Sequence, residues 1–393
     1  MNEEVEQLTM RKSPLEETHR QSGAIFAERD GFMLPANYGD ARAEYEAVRG
    51  GGAAGLIDLS SVRSRIEVSG AEAVQFLNGL ITNDMKTLAA GAWMPAAFPN
   101  VQGRLLAHVR VMRSTEAISF LFDTETATHE KVFQILARFM LAGDFRVRDV
   151  SHETAQFSLQ GAKSPDIIEE VLGRSAAQTE RGRVSVVSWG DDGHPITIAR
   201  ATHTGEDGYD LFIAGAEATA LWEALRAAGA CPIGFEAFEI LRVEAGVPRY
   251  GVDVSDTNVV LEAGQDEAVS YTKGCYIGQE IIARIHWRGH VAKRLAGLIL
   301  EDERLEDERQ LAADAKVIST EGKEIGRVTS AVRSPRLART VALGIIRYDY
   351  LQPGTPVTIV SGEESHAAQI AELPFVRGSW SSTHEETTQE ATP

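Results

Sequence analysis

From about residue 291 the chain changes texture. "KRLAGLIL", "AKVIST", "EIGRVTSAVRS", "TVALGIIRY", "TPVTIVS" and "SHAAQIAELPF" are short apolar, β-branched runs separated by glycine, proline and charged turns. Six strand-sized runs at such regular spacing argue for a barrel or sandwich. This feature constrains the fold most. It requires a separate all-β module over 291–375, and it leaves a different architecture for what precedes it.

Over 40–290, helical and extended patterns mix without a strict alternation. "GDARAEYEAVRGG" has helix composition and ends in glycines. "SRIEVSG" alternates as a strand does, and "AEAVQFLNGLITND" spaces Val74, Leu77, Leu80 and Ile81 at helical intervals. "AAFPNVQGRLLAHVRVMRS" reads as two strands joined by a turn at 100–103. "THEKVFQILARFML" reads as an amphipathic helix with Thr128 as N-cap. "VSVVSWG", "PITIARATH" and "GYDLFIAG" read as strands, and "GAEATALWEALRAAGA" and "FEAFEILRVEAGVP" as helices, the second closed by Gly246 and Pro248. The fold class is therefore α+β with an appended β domain. Expected boundaries are a flexible N-terminus at 1–20, a bipartite α+β region at 21–290, the barrel at 291–375 and a disordered polar tail at 376–393.

The apolar runs are strand-sized and far short of a membrane span, and "MNEEVEQLTM" carries no export pattern, so a cytoplasmic protein without a membrane partner is expected. Two cysteines, Cys231 and Cys275, give neither a disulfide framework nor a self-sufficient metal site. With 39 Lys and Arg against 57 Asp and Glu, the net charge of −18 argues against direct nucleic-acid binding. One segment departs from that balance: 273–294 holds Lys273, Arg284, Arg288, Lys293 and Arg294 against Glu280 alone. It suits a small anionic ligand, or else it is a solvated face of mixed charge.

"GGGAAG" at 50–55 matches a dinucleotide-binding glycine pattern, but a helix precedes it and an extended run follows, the wrong order for a phosphate-binding helix N-terminus. It reads as a helix-to-strand turn. Asp207-Gly208 reads as a tight hairpin turn, or as one wall of a site. "RYGVDVSDTNVVLEAG" carries Tyr250, Asp253, Asp256 and Glu262 in a loop-like stretch. A carboxylate such as Glu262 can accept paired hydrogen bonds from the N–H/NH₂ edge of a pterin, or it is a surface carboxylate. In "YTKGCYIGQE", Cys275 lies ahead of a helix start and beside the Lys273 ammonium, both of which favour a thiolate. The same thiol on a buried face would be inert packing, and the physics leaves both readings open. Cys231, without such neighbours, reads as structural.

"KGCYIGQE" resembles the signature of YgfZ-type folate-binding proteins, relatives of the glycine cleavage T-protein (aminomethyltransferase). The resemblance extends over about 13–375 and includes "GLIDLSS", "HTGEDGYDLFI", "LRVEAGVPRYG" and "LEAG". It implies two interwoven α+β domains around a central folate site plus a C-terminal β barrel, with tetrahydrofolate or a derivative as cofactor. It places Glu262, Tyr250 and Arg288 at the folate, and gives Cys275 and Lys273 the working role. T-proteins carry adjacent aspartates where this chain has Ala107 and His108, and an acidic residue where it has Cys275. The YgfZ branch is thereby implied, with a role in iron–sulfur cluster assembly or repair, indirectly in tRNA modification, and with iron–sulfur client or assembly proteins as partners. The alternative is a folate-dependent aminomethyltransferase or demethylase, in which another carboxylate such as Asp253 takes over from the missing aspartate.

Overall fold

The computed structural model describes residues 13–115, 118–301, 311 and 314–381. Strands Trp93–Pro99, Leu105–Arg113, Ser119–Glu125, Arg63–Ser69 and Arg146–Asp149 form, in that order, a five-stranded antiparallel sheet. A second sheet runs Val184–Trp189, His194–Arg200, Gly208–Ala214, Thr154–Gln160, Ala54–Asp58 and Ala230–Pro232, antiparallel except for its last pair. Strands Ala54–Asp58 and Thr154–Gln160 are neighbours in the second sheet, yet the whole first sheet lies between them in sequence. The two α+β units are interwoven for that reason. Arg65, 1% exposed, fastens the crossover by donating to the carbonyls of Ser60, Ser151 and Thr154 and to Thr154 Oγ1.

Each sheet buries one face under helices. Helices Ala73–Leu80 and Thr126–Ala137 cover the first through Leu77, Leu80, Val132 and Leu136. Ser164–Leu172 and Ala218–Ala227 cover the second through Ile168, Leu221, Trp222 and Leu225. Strands Lys293–Leu300, Lys316–Ser319, Glu324–Ser334, Arg339–Arg347, Pro356–Ser361 and Glu364–Ala371 close a six-stranded barrel, as their spacing requires. Buried Glu244, on helix Phe235–Glu244, ties the parts together. It accepts from Tyr45 Oη at 2.9 Å, Arg49 Nε at 3.2 Å and barrel residue Ser334 Oγ at 2.5 Å.

Several local expectations change. Helix Thr126–Ala137 is entered from Glu125, whose extended φ −67° and ψ 139° make it the N-cap, and Thr128 sits inside the first turn with its hydroxyl on Glu125 O. Asp207-Gly208 is not a tight turn: the connection spans 201–207, and Gly208 opens a strand. Glycine is required there because a Cβ would stand 2.5 Å from Leu159 O. The N-terminal segment expected to be loose is packed from Ser13: helix Glu16–Gln21 follows buried Leu15, and its His19 bonds Asp58 at 2.9 Å. The tail is docked as far as Ser381, since Ser379 donates to Glu206 and Arg181 to Trp380 O. Residues 1–12 and 382–393 lie outside the described residues. The glycine run does end a helix, Ala41–Arg49, and begins a strand at Ala54. Among the described residues no helix is long and apolar enough to cross a membrane.

Candidate functional site

A cavity of about 230 Å³ opens where hairpin 25–37, the end of strand Ser119–Glu125, helix Phe235–Glu244 and loop 247–252 converge. Its apolar walls include Phe32, Leu34, Phe235, Phe238, Val247 and Pro248; its polar groups include Arg29, Arg63, Glu125, Glu239, Arg242 and Arg249. Walls of this kind with a few convergent polar groups are what a flat, polar-edged ligand needs. The strand delivers Glu125 by alternation: Phe120, Phe122 and Thr124 face the core, so Asp123 and Glu125 face the other way.

Most of the charge is matched internally. Arg29 meets Glu239 at 2.8 Å, Arg63 meets Asp123 at 2.5 Å, and Arg249 meets Asp30 at 3.3 Å. Arg242 is bound to Asp253 at 2.6 Å and also to Glu239. Burial works to raise the Glu239 pKa, but Arg242 and Arg29 pull it down to about 2. Arg242 and Arg249 each keep a buried Nε–H without a partner among the described residues. Glu125 behaves oppositely: burial lifts its pKa, and Arg63 and the Tyr250 N–H only partly offset this.

Only one of the five residues singled out in the sequence lines this cavity. Tyr250 does, with its N–H 3.1 Å from both Glu125 oxygens and its hydroxyl 3.3 Å from Lys131 Nζ. Glu262 is buried in its own loop, accepting from Asn258 Nδ2 at 3.0 Å and Val259 N–H at 3.3 Å, and does not line the cavity. Arg288 ends helix Gln279–Arg288 in solvent. Cys275 is exposed, not packed, and the helix it was expected to precede starts four residues later behind Gly278. Lys273 does not offer that thiol a free cation, because its ammonium is held by Ile81 O at 2.9 Å and Asn83 O at 2.6 Å. Asp253 is no substitute carboxylate either. Its two oxygens accept from Arg242, the Arg249 N–H, Thr329 and Ser330. Cys231 is half-buried in its strand, and burial raises its pKa.

Burial takes the Lys273 pKa down to about 8, with Lys86 adding to the effect and Asp84 opposing it. Between that value and the ordinary 10.5 the unfolded chain holds a proton that the folded chain has lost, so stability rises with pH across the window. Urea unfolding from pH 8 to 10.5 should show this rise in the wild type relative to Lys273→Met. Parallel curves for the two proteins would remove Lys273 as its source.

The sequence reading passed over most of the cavity's charged groups, Arg29, Arg63, Glu239 and Arg242 among them, and over two more. Glu125 is one, although "FLFDTE" sets two acids on alternate positions of a strand among aromatics, which is a legible signal of a charged inner face. His203 is the other: it lines the cavity, and its Nε2 is 2.9 Å from Asp210, which His203 and Arg110 hold far below the usual carboxylate range against burial. His108 is lowered by burial to about 4, so it is neutral at neutral pH, while Ala107 packs in the core.

Two interwoven sheets, a closing barrel and a cavity set among them define an aminomethyltransferase-type fold. In the crystal structure of the glycine cleavage system aminomethyltransferase T from Bartonella henselae the same fold recurs, with TM-score 0.82 over 94% of this chain and 99% of that one at 24% identity. Residues 15–273 match the GCVT N-terminal domain and residues 293–377 the glycine cleavage T-protein C-terminal barrel domain. Similar proteins include aminomethyltransferases of Rubrobacter xylanophilus, 32% identical over 94% of this chain and 95% of that protein, and Geobacillus kaustophilus, 30% identical over 94% and 99%. The chain belongs to the glycine cleavage T-protein family.

Proposed function

We propose that the protein is a folate-dependent one-carbon transferase of the aminomethyltransferase type, with tetrahydrofolate bound in the cavity beneath Tyr250. The observation that carries this reading is the cavity's polar edge. The Arg242 and Arg249 guanidiniums line it between aromatic and apolar walls, and each keeps a buried Nε–H without a partner among the described residues. A pterin has a flat ring system with a carbonyl acceptor and N–H donors at its rim, and unsatisfied buried groups reward a ligand that completes them. Relatives similar over nearly their whole length are named aminomethyltransferase, which supports the transfer chemistry. The transfer is redox-neutral. An aminomethyl thioether gives its methylene carbon to the two ring-adjacent nitrogens of tetrahydrofolate. Those nitrogens lose two protons, one to the leaving ammonia and one to the freed thiol.

The test is anaerobic ¹³C NMR of a labelled aminomethyl thioether mixed with tetrahydrofolate. Formation of 5,10-methylenetetrahydrofolate, ammonia and thiol is expected, faster than without protein. Saturable folate binding without acceleration would remove the transfer step and keep a folate-binding protein.

A second reading is favoured by the exposure of Cys275 and by Ala107 and His108, which leave no carboxylate on that strand near the turn. It is the YgfZ-type accessory role in iron–sulfur cluster assembly or repair, with an accessible thiol instead of a turnover site. Cys275→Ala in a complemented deletion strain separates the two: loss of cluster-enzyme maturation supports the accessory role, and unchanged maturation removes it.

A further inference from the structure

One carboxylate of the cavity, Glu125, feels Arg63, Arg249 and Arg242 only from beyond contact distance. The cavity's four guanidiniums, on Arg29, Arg63, Arg242 and Arg249, are matched by Glu239, Asp123, Asp253 and Asp30. Glu125 has no cation within ion-pair distance among the described residues, and its carboxylate receives only the Tyr250 backbone N–H, shared between both oxygens. Most of its accepting capacity is unused. Half-burying a carboxylate in that condition is unfavourable until something completes it, and the upward pull of desolvation on its pKa is the same effect seen by proton binding.

The surroundings select what completes it. Phe32, Phe235, Phe238 and Tyr250 line the same cavity, and Phe235 and Phe238 meet edge to face at 90° with centroids 5.6 Å apart. Aromatic faces beside a carboxylate attract an organic ammonium through the ring quadrupole as well as the opposite charge. A metal ion would find no cluster of three ligating side chains among the described residues, since Glu239 and Asp30 are taken by arginines, and an anion would find guanidiniums already paired.

We propose that Glu125, with Phe32, Phe235, Phe238 and Tyr250, forms an organic-ammonium site that seats the cationic nitrogen of the one-carbon donor. The donor's role rests on the transfer reading above; the site is defined by binding alone. Folate acceptor groups at Arg242 and Arg249 and a donor ammonium at Glu125 would share one cavity, which a direct transfer between them requires.

The test titrates the full-length protein with methylammonium, dimethylammonium and tetramethylammonium chlorides at constant ionic strength, followed by ligand-observed NMR, with tert-butanol as a neutral comparison. Saturable binding of the ammonium series but not the alcohol is expected, weakened about tenfold or more by Glu125→Gln and unchanged by Glu262→Gln. Phe238→Leu, which removes a ring without touching the carboxylate, is expected to weaken tetramethylammonium binding severalfold. It also serves if Glu125→Gln fails to fold. No saturation by any ammonium, or full affinity in both Glu125→Gln and Phe238→Leu, would overturn the proposal. Tetrahydrofolate titrated into the same samples keeps the two ideas apart. Ammonium binding without folate binding would end the folate reading and leave this site standing; folate binding without ammonium binding would do the reverse.

Discussion

Asp253→Ala is expected to lower the unfolding free energy by about 3–5 kcal/mol, the range for removing one partner of a buried charge pair. The side chain is fully buried and holds four donors. Arg242 Nη1 and the Arg249 N–H share one oxygen, at 2.6 and 2.9 Å. Thr329 Oγ1 and Ser330 Oγ take the other, at 2.6 and 2.7 Å. The first two donors belong to the cavity wall and the last two to the barrel strand Glu324–Ser334, so Asp253 is where the barrel grips the site. Alanine would leave Glu239 as the one carboxylate on Arg242 among the described residues, take the acceptor from the Arg249 N–H and the Ser330 hydroxyl, and leave Thr329 only the Leu343 carbonyl. Asp253→Asn keeps the shape and two acceptor contacts, so a smaller loss is expected. Urea midpoints of the three proteins check the order. An Asp253→Ala midpoint equal to wild type would show that the wall is held by something else.

Gly278→Ala is the second large effect, at roughly 3 kcal/mol, combining left-handed strain with a backbone clash. Gly278 has φ +77°, and a Cβ there would stand 2.3 Å from Asn100 O and 3.1 Å from Gly103 Cα. Both contacts are backbone, so no side chain can swing away. They come from the 100–103 turn, where Asn100 Oδ1 accepts from the Gln102 and Arg104 N–H groups. The second glycine of "KGCYIGQE" is thus a docking point between the signature segment and the first sheet. Cys275→Ser, three residues away but exposed, should leave the urea midpoint unchanged. If both substitutions proved neutral, the signature would have to be explained by function throughout.

The barrel was legible because six strands of regular spacing have few ways to hide their edges, and all six lie where the pattern puts them. The long helices were legible for the same reason, periodicity over ten or so residues. The cavity was not. The Tyr250 N–H meets a carboxylate 125 positions earlier, Arg29 meets Glu239, and Arg242 meets barrel residue Ser330. No local pattern carries such pairings, and the resemblance transferred roles along the chain to Glu262 and Arg288, which do not line this cavity. The described start of the tail departs from what composition suggests. "RGSWS" is polar, yet the Arg181 guanidinium lies 4.4 Å from the Trp380 ring centroid and Glu206 takes both Ser379 donors. A few specific contacts are enough to dock a segment whose composition alone would leave it in solvent.

Calorimetric titration of tetrahydrofolate, under anaerobic conditions, into wild type, Arg249→Met and Glu262→Gln tests the location of the site most directly. Saturable binding by wild type is expected. Arg249→Met should weaken it by about tenfold or more, having lost a charged donor in the cavity, and Glu262→Gln should bind as wild type does. Binding that survives Arg249→Met but disappears in Glu262→Gln would move the folate to the 258–264 loop, and no binding by wild type would leave the family fold without the ligand proposed for it.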